Sequence, residues 1–215
     1  TLTATNTGSN AIYLANNVTG NQFNGNITFN STLGSAGIYI GNNSTASATL
    51  GTGASLLTGG LGFSSGELRL KRLTQIGSSA QTLVLTGTAV LRIGPASTFN
   101  GNLDFRSPQI ALDGATYNGV TYLEKTGASN NDSNGGNSFL GSTTTIVNSG
   151  TGWFKFAVNS LDTFGSGDLI LSNTGTSTIR MADNVPGSVF NGNIFVNSTF
   201  GGGIYFSDSG SGTAT

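Results

Sequence analysis

The chain has no cysteine and no histidine. The first absence removes disulfide scaffolding and thiolate chemistry, and the second removes the side chain that ordinarily titrates near neutrality. Together they remove Cys/His zinc sites and histidine acid–base catalysis. Charge is scarce as well. Eight Lys and Arg against nine Asp and Glu leave a formal net charge of −1 over 215 residues. Charged residues are 8% of the chain, where about a quarter is usual, which argues against nucleic acid or an anionic membrane as partner. No apolar run approaches the roughly 20 residues that would carry a helix across a bilayer. Helix signals are nearly missing, because apolar stripes at i, i+3, i+4 and i+7 are broken by glycine or β-branched residues.

What is there is glycine, 34 of them with only 3 prolines, and Asn, Ser and Thr supplying most of the polarity. Such a mixture would leave a chain disordered were it not for the 36% of hydrophobic residues, which recur in short regular clusters able to build a core. Seventeen short runs, the first at 1–5 and the last at 203–207, alternate apolar and polar residues and close on Gly, Asn or Ser, as strands do. The alternation assigns faces. Pairs such as Ile27/Phe29, Ile38/Ile40, Leu68/Leu70, Leu91/Ile93, Leu103/Phe105, Ile179/Met181 and Ile194/Val196 point inward. Tyr13, Thr28, Tyr39, Arg69, Arg92, Asp104, Lys155, Arg180 and Tyr205 point outward.

The chain also repeats itself at long range. Phe23-Asn24-Gly25-Asn26-Ile27 returns as Phe190-Asn191-Gly192-Asn193-Ile194, an offset of 190 − 23 = 167 residues, and Gly37-Ile38-Tyr39-Ile40 returns as Gly203-Ile204-Tyr205-Phe206. A third echo stands at Phe99-Asn100-Gly101-Asn102-Leu103. The phrase reads as a corner, with glycine supplying a positive-φ turn and Phe capping the core. A long repeat with Gly-rich corners predicts an all-β parallel β-helix: one continuous solenoid over 1–215, with a repeat at 1–167 and a partial second copy at 168–215. A sandwich or barrel is the alternative all-β arrangement, but its Asn-Gly steps would join strands in hairpins, whereas here they precede a strand in the same phrase. Starting at Thr1 and stopping within a second copy, the sequence reads as a piece of a longer secreted protein.

Between Leu123 and Leu171 four phrases occur in order. They are Lys125-Thr126-Gly127, Gly136-Asn137-Ser138-Phe139-Leu140-Gly141 followed by Thr143-Thr144-Thr145-Ile146-Val147-Asn148-Ser149-Gly150, and Phe164-Gly165-Ser166-Gly167-Asp168-Leu169-Ile170-Leu171. This stretch resembles the autotransporter-associated β-strand (passenger-associated transport) repeat, and the wider unit is similar to giant tandem-repeat surface adhesins of Gram-negative bacteria. The resemblance implies a right-handed helix, export by an autotransporter-like or type IX route, exposure at the cell surface, and a role as stalk or adhesin. The polar loop 128–135 departs from the family pattern, so the coil that holds it is expected to be irregular.

Candidate sites are few, and no catalytic, cofactor or metal residues are expected. Outward Tyr13, Tyr39 and Tyr205 are candidates for stacking on sugars, and Arg69 and Lys71, within the charged run Glu67-Leu68-Arg69-Leu70-Lys71-Arg72, for contact with an acidic polysaccharide. Each also reads as an ordinary solvated strand face. Of the nine acids, only Asp104 and Asp113 are spaced to meet on adjacent coils, with Arg106 nearby, as a glycosidase pair would require. Gly165-Ser166-Gly167-Asp168-Leu169 matches half of a calcium-binding nonapeptide, and Asp132 with Asn130, Asn131 and Asn134 is a second cation candidate. The expected partners are surface glycans or neighbouring copies of the chain, with neither nucleic acid nor membrane insertion. Three functions follow: a surface fibre, a carbohydrate-binding module, and a polysaccharide-degrading enzyme.

Overall fold

A computed structural model describes residues 1–33 and 36–207, and the backbone of 213–214; Asp208 lies outside the described residues. Every described strand pairing is parallel and joins a strand to one a coil away. The result is a β-solenoid of about eight turns with three faces. The first face is an unbroken sheet of nine strands, from Leu2–Asn6 through Ile27–Ser31 and Thr121–Lys125 to Ile194–Ser198. The second face is two sheets: five strands from Ile12–Leu14 to Gln109–Leu112, then four from Asn131–Asp132 to Ile204–Phe206. The third is again nine strands, from Asn21–Phe23 to Thr213–Ala214.

The alternation predicts most strands of the first two faces but misses Leu56–Phe63, whose three glycines break the period, and Asn131–Asp132 in the polar loop. Ile27, Phe29, Ile38, Ile40, Leu68, Leu70, Leu91, Ile93, Leu103 and Phe105 all join one continuous buried core. In the last coil Ile194 and Val196 continue the inward rows yet are 40% and 55% exposed, since no described coil lies over them. The charged run does not form one strand. Glu67–Leu70 ends the second face, Arg72 turns the corner at φ 50°, and Leu73–Gln75 begins the third. The same corner is turned in the left-handed region by Ala15, Ala96, Ala157, Ala182 and Ser207. In an L-residue other than Asn or Asp this conformation is uncommon.

Most of the third face escapes the sequence reading, because most of its strands are only two or three residues long, although Ala48–Leu50 falls within the expected run 46–50. Its inward position is nevertheless the best ordered in the molecule. Phe99, Tyr117, Phe139, Phe164 and Phe190, one per coil, stack nearly parallel at centroid distances of 6.0, 4.7, 4.8 and 5.0 Å. Phe23 and Leu50 hold the same register below, and Gln75 interrupts the column with its amide turned back to the chain. Its Oε1 accepts from the backbone N–H groups of Asn100 and Gly101, and its Nε2 donates to Ser79 O.

The Phe-Asn-Gly-Asn phrase corrects one expectation. Its Phe does enter the core, but its glycines are not positive-φ residues; none of Gly25, Gly101 and Gly192 has that backbone. Glycine is required by close approach instead. A Cβ on Gly119 would overlap Gly101 O, one on Gly141 would overlap Gly119 O, one on Gly167 would overlap Gly141 O, and one on Gly192 would overlap Gly167 O. Five successive coils thus touch through bare backbone along one edge, which only glycine permits.

Coil length varies, and the variation shapes the surface. Leu2 pairs with Ile27, a coil of 27 − 2 = 25 residues, whereas Leu103 pairs with Thr121, a coil of 121 − 103 = 18. In the short coil a single residue, Pro108, joins the first-face strand Leu103–Ser107 to the second-face strand Gln109–Leu112. The coils on either side have five residues at that corner, 85–89 and 126–130. The polar loop does mark an irregular coil, since it is where the second face divides. Across the division Ser133 Oγ accepts from Leu112 N at 3.2 Å and Gly135 N donates to Leu112 O, in place of a full ladder.

Candidate functional site

Charged and aromatic side chains concentrate on the outer side of the second face, where parallel register places equivalent positions directly above one another. Tyr13 pairs with Tyr39 and Tyr39 with Arg69. The two rings meet edge to face at 5.3 Å, and the Arg69 guanidinium lies 4.4 Å from the Tyr39 centroid. Arg69 is held further by an ion pair with Glu67 and by Asn42 Oδ1 at 2.7 Å. Arg92, one coil on, bonds Asp113 at 2.8 Å. Tyr13, Tyr39 and Arg69 are therefore brought together as one column, but the cation and the neighbouring ring already cover Tyr39. Lys71 is set apart at the corner, its alkyl stem filling the space where a Cβ on Gly94 would stand. Tyr205 lies on the same face in the last coil, 5.9 Å from Arg180. Arg180 and Lys155 also flank Trp153, at 5.8 and 5.1 Å, and Lys155 bonds Asp183 at 2.9 Å.

The paired-acid expectation fails geometrically. Asp104 stands outward on the first face, bound to Arg106 through Nε at 2.8 Å and Nη2 at 3.1 Å. Asp113 follows the second-face strand and is bound by Arg92 and Asn134. Residues on different faces, each neutralised by its own partner, do not flank a common substrate bond. The cation candidates are likewise engaged elsewhere. Asp132 Oδ1 accepts the Trp153 indole N–H at 2.8 Å, Asn130 Oδ1 accepts the Trp153 backbone N–H, and Asn134 donates to Asp113. Asp168 accepts from Asn193 at 3.0 Å. Among the described residues no three acidic side chains gather where they could hold a metal.

A concavity that residue types did not announce lies at the corner between the first and second faces. The one-residue corner at Pro108, sunk between two five-residue corners, leaves a notch. Its first-face half encloses about 480 Å³ and its second-face half about 180 Å³, and both halves are lined by Gly87, Pro108 and Gly127. Pro108 is buried at the floor, while Val84, Thr86 and Thr126 are exposed on the walls. On the first-face side stand Arg106 and Glu124. Glu124 accepts from Ser149 Oγ at 2.7 Å and from the Tyr122 hydroxyl at 3.1 Å. Burial, then this carboxylate, raises the Tyr122 hydroxyl above its ordinary pKa. The hydrogen bond to Asp104 holds the Arg106 guanidinium firmly protonated. Only coil-length comparison could have found this notch, once the strands on both sides of Pro108 were placed.

Lys125 and Asp162 are among the ionisable side chains buried inside the solenoid. Lys125 is fully buried at the end of the first-face strand, its Nζ donating to Gly127 O at 2.6 Å and Gly152 O at 3.0 Å, and burial lowers its pKa to about 8. Asp162 is buried before the third face, its Oδ1 accepting from the Asn137 backbone and side-chain amides, and burial raises its pKa to about 6. The chain matches no family model, no curated protein and no solved structure.

Proposed function

We propose that this chain is a structural and interaction protein, a segment of a long bacterial surface fibre or adhesin exported to the cell exterior, in which the solenoid acts as a stiff stalk. One observation carries the reading. The 167-residue sequence repeat returns each residue to the same place in the solenoid seven coils later: Leu2 and Leu169 on the first face, Ile12 and Ile179 on the second, Phe23 and Phe190 on the third. A unit that closes on a whole number of coils can be joined to its next copy with every ladder and every core row continued, so length grows without a new fold. The mechanism is mechanical: backbone hydrogen bonds between coils and a shared apolar core resist bending.

The test is to express one, two and three joined copies of residues 1–167 and measure their length by small-angle scattering. Each added copy lengthens the particle by seven coil spacings, about 34 Å at about 4.8 Å per coil. A change in cross-section without that increment would show that the copies fold back on one another, and the stalk reading would fall. Labelling of intact cells of the source organism with antibody to this chain addresses the surface location, and signal only after lysis counts against it.

A further inference from the structure

We propose that the notch at Pro108 binds a neutral polysaccharide chain laid across the rod. Arg106 commits Nε and Nη2 to Asp104, which leaves Nη1 facing Glu124 Oε2 at 3.7 Å. That separation is too long for a hydrogen bond. A donor and an acceptor thus stand side by side at the notch wall, and the group that completes both at once is a hydroxyl, which accepts from Nη1 and donates to Oε2. Charge selects the same ligand class. At the lining an anion would meet Glu124 and a cation would meet Arg106, whereas a neutral polyol meets neither repulsion.

The remainder of the notch suits a sugar ring. Exposed Val84 offers apolar surface for its C–H face over the buried Pro108 floor, and exposed Thr86 and Thr126 line the walls. The volume is that of ordinary small-ligand sites. Arg106 and Glu124 are already fixed by Asp104, Ser149 and Tyr122, so binding freezes few additional rotamers. The inference holds whether or not the chain belongs to a fibre.

The full chain is titrated with neutral gluco-, manno- and N-acetylgluco-oligosaccharides, and with oligogalacturonate as the acidic control, by calorimetry and amide NMR. At least one neutral series is expected to bind, shifting the amides of Thr86, Gly87 and Gly127. Thr126→Trp fills the notch from an exposed position and weakens that binding by at least about tenfold, with the melting temperature held. Arg106→Lys keeps the charge, loses the planar fork and weakens it too. The proposal is overturned if no neutral oligosaccharide moves those amides, if only the acidic control binds, if Thr126→Trp leaves affinity intact, or if the amides respond to protein concentration alone, the sign of a second copy in the notch.

Discussion

Two columns run up the interior of this solenoid and obey different rules. On the third face, rings stack from Phe99 onward, at nearly constant spacing from Tyr117 to Phe190. At the end of the first face, the corresponding column holds Asn6, Ser31, Phe63, then Ser107, Lys125, Asn148, Asn173 and Ser198. Its members look unrelated until their partners are compared. Asn6, Asn148 and Asn173 donate to the carbonyl four residues on in their own coil, and again to a carbonyl of the next coil. Lys125 reaches Gly127 O in its own corner and Gly152 O in the next. Ser198 makes the first of these bonds alone. The aromatic column conserves shape along the rod, and in the other column the Asn residues, Lys125 and Ser198, though not Ser31 or Phe63, share a task, the satisfaction of corner carbonyls.

If that contrast is right, breaking the aromatic column costs most. Phe139→Ala removes a ring stacked on both sides and leaves a cavity in a continuous core, with an expected loss of about 3–5 kcal/mol, read by chemical denaturation. Asn148→Ala strips Gly152 O and Thr178 O of one donor each and should cost about 1–3 kcal/mol, whereas Asn148→Ser, which keeps a donor as Ser198 does, should recover part of the loss. Equal losses for Ala and Ser would mean that volume rather than hydrogen bonding governs this column. The smallest effect is the dependence on pH. Burial lowers the Lys125 pKa to about 8 from 10.5, so between those values the unfolded chain holds a proton that the folded chain has released. Stability therefore rises with pH across that window, by about 1–2 kcal/mol between pH 7 and 9.5. Lys125→Asn should flatten that rise, and denaturation curves that fall over the same range would contradict the assignment.

Most strands of the first and second faces were legible because three or more residues suffice to show alternation, whereas Leu56–Phe63, with three glycines, shows none. Ile27/Phe29 and Leu91/Ile93 declare an inside and an outside without help. Most of the third face was not, since a pair such as Thr98–Phe99 has no period to read; its Phe residues signalled the core but not the sheet. The glycines of Phe-Asn-Gly-Asn were recognisable as special, yet the reason lay in the coil beneath, which a local reading of turn chemistry does not include. Of the candidate side chains, Tyr13, Tyr39 and Arg69 meet because they share a phase on paired strands. Asp104 and Asp113 part because a one-residue corner sends them to different faces. The notch was invisible for the same reason: it is made by what Pro108 omits.

The edge where Gly101, Gly119, Gly141, Gly167 and Gly192 touch has a bearing on how the chain reaches its fold. Coils this alike invite mispairing, in which a strand settles one residue out of step or against the wrong neighbour. At exposed polar corner positions such an error would often exchange one small polar residue for another. At this edge it would drive a side chain into a carbonyl oxygen, and a one-residue slip would also turn every inward residue outward. The glycines thus act as a checkpoint for register, penalising a misplaced coil before the next is laid upon it.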